Sequence, residues 1–114
     1  MRILFIINPV SGRTSNDKAI LQIHKVAAEQ RFDFKFHYTT GENDDEAIKQ
    51  QISDYRPDRV IAGGGDGTIP LVSRNLVGLE NIPLGILPLG SANGMATALG
   101  LPQQVNAAVD LAVN

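Results

Sequence analysis

The sequence contains no cysteine, no tryptophan and only two histidines. Without thiols there can be no disulfide scaffold, no cysteine nucleophile and no thiolate metal site, and two histidines are too few for a multi-histidine metal centre. An excess of positive charge is also lacking. Ten Lys and Arg face 12 Asp and Glu, for a net charge of −2, so the basic face that general nucleic-acid binding requires is missing and no nucleic-acid partner is expected. No secretory signal is expected, because the apolar run at residues 3–7 is shorter than a signal core and has no small-residue cleavage site after it. A long unbroken apolar segment is missing too. Residues 81–109 carry no charge, but Pro83, Gly85, Pro88, Gly90, Gly94, Gly100 and Pro102 interrupt them, which excludes a continuous membrane-spanning helix. The expectation is a cytoplasmic chain.

What remains is 114 residues, 43% of them apolar, enough for one compact domain and hardly two. Charge is spread unevenly. After Asp66 only Arg74, Glu80 and Asp110 carry any, so this 48-residue stretch is expected either to fold into the middle of a sheet domain or to pack against a further part of a longer protein. The helical pattern Val105, Ala108, Val109, Ala112 runs to the end of the sequence without an obvious cap, which adds to the expectation of a longer parent.

Hydrophobic periodicity predicts alternating strands and helices. Residues 3–7 form a continuous apolar run, as in a strand buried on both faces. A turn sequence follows, Asn8-Pro9-Val10-Ser11-Gly12. Ile20, Ile23 and Ala27 then recur at helical spacing, with Ser15 or Asn16 available as N-cap. Residues 32–38 alternate strictly, Phe32, Phe34, Phe36 and Tyr38 on one face and Asp33, Lys35 and His37 on the other, so a half-buried strand is expected with His37 facing solvent. The aromatic stripe reads as sheet core and His24 as a half-buried structural residue. A second helix carries Ile48, Ile52 and Tyr55 on one stripe, with Asp44, Asp45 and Glu46 complementing the dipole of its first turn and Pro57 ending it. Residues 60–62 form a short strand, a helix with Pro70 in its first turn runs towards Gly78, and residues 84–87 form the fourth strand. A short helix closing at Gly100 and a last one opened by Pro102 complete the pattern. The alternation implies an α/β fold, a three-layer, mainly parallel sheet with helices on both faces. Ligands of such folds sit at the carboxyl ends of the strands. Three polar or glycine-rich loops lie there: residues 8–12, 63–68 and 90–93.

The middle loop carries the most chemistry. Gly63-Gly64-Gly65-Asp66-Gly67 leaves Asp66 as the only side chain in a glycine-rich turn between a strand and a helix. Glycines let a ligand approach backbone N–H groups, and such a turn makes a phosphate cradle. A carboxylate beside phosphates calls for a cation between them or for a proton-handling role, and Mg²⁺ is the usual cation. Thr68 can cap the helix or donate to a phosphate. The loop lacks the Gly-Lys-Ser/Thr of a P-loop and does not fit the dinucleotide fingerprint.

Gly64-Gly65-Asp66-Gly67-Thr68 resembles the motif of diacylglycerol and sphingoid-type lipid kinases, of NAD kinases and, more loosely, of phosphofructokinases. Asn8-Pro9 with Ser11-Gly12, the segment Leu84-Gly85-Ile86-Leu87-Pro88-Leu89-Gly90-Ser91-Ala92-Asn93 and the Ala98-Leu99-Gly100-Leu101-Pro102 helix end are similar to the lipid-kinase branch in particular. NAD kinase, the alternative enzyme, does not predict the first two of these. The resemblance implies an NAD kinase/phosphofructokinase-like sheet and ATP:lipid phosphoryl transfer with Mg²⁺. It also implies that residues 1–114 are the single ATP-binding α/β domain at the N-terminal part of a longer, two-domain lipid kinase. By motif, Asn8, Ser11, Gly12, Thr40, Gly64, Gly65, Asp66, Gly67, Thr68, Ser91 and Asn93 would line the nucleotide site. Asp66 would be the catalytic and metal-orienting carboxylate. The diacylglycerol-like lipid would be held by a missing C-terminal domain, without which no phosphate transfer is expected. Peripheral contact with a membrane and a homodimer are compatible with such a parent. The sequence departs from the family where Pro70 and Leu71 replace the common Asn-Glu and Gly94 replaces a frequent Asp. Those losses leave a third reading open, a catalytically dead nucleotide- or lipid-sensing module.

Overall fold

The computed structural model describes residues 1–8, 17–64, 67–79 and 81–88, with Asp17, Lys18, Ala19 and Pro88 described by their backbone alone. Within them the chain runs β1 (Arg2–Ile7), α1 (Asp17–Gln30), β2 (Asp33–Tyr38), α2 (Asp44–Tyr55), β3 (Arg59–Gly64), α3 (Thr68–Arg74) and β4 (Leu84–Pro88). The four strands form one sheet in the order β2-β1-β3-β4, and every pairing is parallel. The expected α/β architecture is therefore present. The candidate N-caps Ser15 and Asn16 and the two helices expected after residue 94 lie outside the described residues.

β1 is central, and its apolar run divides between two cores as a strand period of two requires. Ile3, Phe5 and Ile7 join Ile61 and Leu87 on one face, where Ile23, Val26 and Ala27 of α1 cover them. Leu4 and Ile6 join Val60 and Ala62 on the other, beneath Ile48 and Ile52 of α2 and Ile69 and Val72 of α3. Burying a side chain such as Ile6, which is 0% exposed, stabilises by about 1.5–3 kcal/mol. Helices on both faces are as expected from the sequence; the structure places α1 on one face and α2 and α3 on the other.

The helix ends show how the chain stops without glycine. Arg31 after α1 and Arg56 after α2 both adopt left-handed backbone, with φ of 57° and 51°. The amide of Phe32 reaches back to the carbonyl of Ala27 at 3.3 Å, and that of Arg56 to Ile52 at 2.9 Å, which satisfies carbonyls left open by the ending helix. Phe32 precedes β2 rather than opening it and is buried against α1.

β2 has no strand on its outer side among the described residues. Its aromatics pack over Phe5: Phe34 and Phe36 lie 6.4 and 5.6 Å from that ring. His24 stands edge-on to Phe34 at 4.9 Å although its residue is exposed. The other face of β2 departs from the expectation. His37 is partly buried, its Nε2 finds no hydrogen-bond partner, and burial pushes its pKa down while nearby Asp44 opposes the shift. The register sets His37 beside Ile6, on the face that α2 covers, while Asp33 and Lys35 stay exposed, Lys35 reaching to 6.0 Å from the Tyr55 ring.

Candidate functional site

α1, the helix after β1, packs on one face of the sheet, and α3, the helix after β3, packs on the other. β1 and β3 are neighbours, so the chain order reverses between them, and the crevice at such a switch point is where open parallel sheets bind ligands. Hydrogen bonds carry the ladder into the crevice. The amide of Asn8 donates to the carbonyl of Gly63 at 2.9 Å, and that of Thr39 to Ile7 at 2.9 Å. Asn8, Thr39 and Gly64 are thereby held at one level across three adjacent strands.

A cavity of about 450 Å³ opens there, lined among the described residues by Asn8, Thr39, Thr40, Gly41, Asp44, Gly67, Thr68 and Leu71. That volume falls within the range of small-molecule sites. Four of the residues singled out from sequence, Asn8, Thr40, Gly67 and Thr68, thus surround one space although they come from three separate loops. Gly64 is buried at the end of β3, on the approach to it. Ser11, Gly12, Gly65, Asp66, Ser91 and Asn93 lie outside the described residues.

One wall is the β2–α2 connection. The Asp44 carboxylate accepts the amide of Thr40 through Oδ1 and the amide of Gly41 through Oδ2, each at 2.9 Å. The Thr40 hydroxyl donates to the Glu42 carbonyl at 3.0 Å. Asn43, the N-cap of α2, has left-handed backbone and makes no side-chain cap, so Asp44 supplies the polar partner that organises this turn. The opposite wall is the start of α3. Gly67 is its N-cap, with φ −77° and ψ −26°, so Thr68 is the first helical residue and not the cap. Thr68 is buried. Pro70 falls in the first turn, where its missing N–H costs no helical bond.

A second depression of about 500 Å³ shares Gly41, Asp44, Gly67 and Leu71 with the first and adds Asn43, Asp45, Glu46 and Arg74. Asp45 is the centre of a cross-helix network. Arg74 donates to its two oxygens through Nε and a terminal nitrogen, at 2.8 Å each, and Asn75 Nδ2 donates to Oδ1 at 2.8 Å. These hydrogen bonds hold the Asp45 carboxyl well below the usual carboxylate range, and the same pairing pushes Arg74 up. Asp45 is therefore more than a complement to the helix dipole. A groove of about 630 Å³ lies at the other end of the sheet, between the ends of α2 and α3, and includes Lys49, Arg56 and Ile82. It holds none of the residues selected from sequence.

Among the described residues no group of three or more His, Asp or Glu could hold a metal ion, so the magnesium expectation rests on Asp66. No described helix is long and apolar enough to cross a membrane.

Sequence reasoning missed Thr39, Gly41, Asp44 and Leu71 as lining residues. Asp44 carried a signal, an acid three residues after a Thr-Gly turn, but it reads equally well as a helix-dipole acid. Leu71 gave none.

The fold and the crevice define a parallel α/β domain with a ligand cavity at its topological switch point. The diacylglycerol kinase catalytic domain family matches residues 2–114, and the chain belongs to that family. It is 35% identical over 115 residues to a diacylglycerol kinase of Bacillus subtilis, covering 99% of this chain and 38% of the relative. It is 34% identical over 113 residues to the lipid kinase YegS of Escherichia coli, covering 96% and 37%. The crystal structure of a diacylglycerol kinase from Bacillus anthracis superposes with a TM-score of 0.75 at 30% identity, over 95% of this chain and 38% of that one. The chain thus spans less than two-fifths of the length of these relatives.

Proposed function

We infer that this chain is the nucleotide-binding half of an ATP-dependent lipid kinase, with the lipid site and the general base supplied by a C-terminal domain of the parent. One observation carries the reading: in a chain of this family, Asn8, Thr40, Gly67 and Thr68 surround a single cavity at the β1/β3 crevice. Phosphoryl transfer asks a protein mainly to position groups and neutralise charge, and a backbone-rich crevice suits that task. The N–H groups of residues 64–68 would hold the phosphates, with Asn8, Ser11 and Gly12 opposite them. Thr40, Ser91 and Asn93 would complete the lining, and Asp66 would hold Mg²⁺ directly or through water. Held there, Mg²⁺ would supply positive charge against the phosphate oxygens. The lipid hydroxyl attacks the γ-phosphorus in line, a new P–O bond forms, the bond to the β-phosphate oxygen breaks, and ADP leaves. The hydroxyl proton goes to a base outside this chain. A cytoplasmic parent that meets its lipid at a membrane surface, alone or as a homodimer, is part of the same reading.

Leu71 supports the alternative, a nucleotide-sensing module without turnover, because it places an apolar side chain on the cavity wall. The test is to incubate the full-length protein with labelled ATP, Mg²⁺ and a mixed lipid extract. Label in the organic phase is the expected outcome, and its chromatographic position names the lipid class. Bound ATP with no labelled lipid would overturn the kinase reading in favour of the sensing module.

A further inference from the structure

We propose that Asp45, Arg74 and Asn75 form a clamp that sets the width of the nucleotide cavity and so act as positioning residues for ATP. The proposal rests on the nucleotide-binding reading of that cavity. Its two walls come from different elements. The Thr40–Gly41 wall hangs on the start of α2 through Asp44, and the Gly67–Thr68 wall is the start of α3. Neither wall is covalently close to the other, so their separation depends on how α2 and α3 are held together.

Two adjacent acids at the start of α2 divide this work. Asp44 turns back and fastens the loop before the helix. Asp45, one residue on, faces across to α3 and binds Arg74 through both oxygens. That bidentate geometry fixes orientation as well as distance, because the planar guanidinium matches the carboxylate. Asn75 extends the clamp. Its Nδ2 also donates to the Leu71 carbonyl at 2.8 Å, and Leu71 lines the cavity. A continuous path of hydrogen bonds therefore runs from the residue beside Asp44 to the backbone of the opposite wall. The Arg74–Asp45 pair is well exposed to solvent, so its contribution to overall stability is small. A bidentate pair kept at such a place is better suited to fixing geometry than to holding the fold.

The expected consequence is selective. Displacing a wall by an ångström costs up to about 100-fold in a positioned reaction, and loosening the walls without unfolding them should weaken ATP first. The variants are Asp45→Ala, Arg74→Met, Arg74→Lys and the exchange Asp45→Arg with Arg74→Asp, made in the full-length protein. Asp54→Ala serves as control, an exposed acid of the same helix that, among the described residues, pairs with Gln50 in α2. ATP affinity is read by equilibrium binding, turnover as KM against kcat, and folding by thermal unfolding. Asp45→Ala and Arg74→Met should raise the Kd and KM for ATP about ten-fold, with the KM for lipid and the unfolding temperature nearly unchanged. Arg74→Lys should recover part of the loss and the exchange variant more of it, while Asp54→Ala should match wild type. Unchanged ATP affinity in Asp45→Ala and Arg74→Met would overturn the clamp and leave the nucleotide reading standing. A fall in unfolding temperature and in kcat with constant KM would also overturn it, because that marks a merely structural pair. Absence of ATP binding by the wild-type protein would instead overturn the nucleotide reading, and the clamp with it.

Discussion

Replacing Gly41 by alanine isolates one physical term. Gly41 sits at φ +88°, in the left-handed region, on the lip of the cavity, and a Cβ built there meets nothing within 4 Å. No packing is lost or strained, so the cost is the backbone conformation alone. An L-residue in left-handed backbone costs about 1–2 kcal/mol. Alanine also restricts the unfolded chain, which returns about 0.4–1 kcal/mol, so the net loss is about 1 kcal/mol. For a chain of 114 residues that lowers the melting temperature by about 4 °C. Gly78 is a matched partner, with φ +87° and an equally open Cβ position, but it lies beyond α3 and away from the cavity. Backbone strain therefore predicts the same loss for Gly78→Ala within a few tenths of a kcal/mol. Asparagine tolerates left-handed backbone, so Gly41→Asn should cost less than Gly41→Ala. Urea unfolding followed by circular dichroism measures all three, the chain having no tryptophan. Of the two alanine variants, only Gly41→Ala should also weaken ATP, because Gly41 lines the cavity and Gly78 does not. If Gly41→Ala were as stable as wild type, or Gly41→Asn no better than Gly41→Ala, the strain account would be wrong.

Three further outcomes are expected. Ile48, 0% exposed on the inner face of α2, should cost about 2–5 kcal/mol when cut to alanine, read as a lower urea midpoint at constant m-value. His37 has a folded-state pKa below its ordinary 6.5, so below about pH 6.5 the unfolded chain binds more protons and stability falls with pH. His37→Gln should flatten that limb of the stability–pH curve, and an unchanged limb would show that other groups produce it. Asp66→Asn should abolish most lipid phosphorylation by the full-length protein while leaving its unfolding temperature intact, and near-normal turnover would remove Asp66 from the catalytic role.

The elements were legible because their signals are local. The apolar run of β1, the period of α2 and the punctuation at Pro57 and Gly78 each depend on a few neighbouring residues. The helix ends were less legible. Arg31 and Arg56 adopt conformations usually given to glycine or asparagine, and the tertiary packing of Phe32 and Ile52 accounts for that better than any local preference. His37 was misplaced for a related reason. Strict alternation puts it on the polar face of β2, but alternation does not reveal that a helix covers that face. Asp45 shows the same limit at the site. Its position in the first turn of α2 already explains an acid there, whereas its partner lies 29 residues further along the chain.

The sequence by itself determined the alternation of strands and helices, the placing of glycine-rich turns at strand ends and the family, since periodicity, turn chemistry and motif spacing are written along the chain. Tertiary structure decided the sheet order β2-β1-β3-β4. That order makes β1 and β3 neighbours and draws Asn8, Thr40, Gly67 and Thr68 around one cavity. It also brings α2 against α3 and thereby creates the Asp45–Arg74 pair. Strand neighbours and helix contacts come from burying two apolar faces at once through long-range pairings, and no local pattern of residues encodes which partners those pairings join.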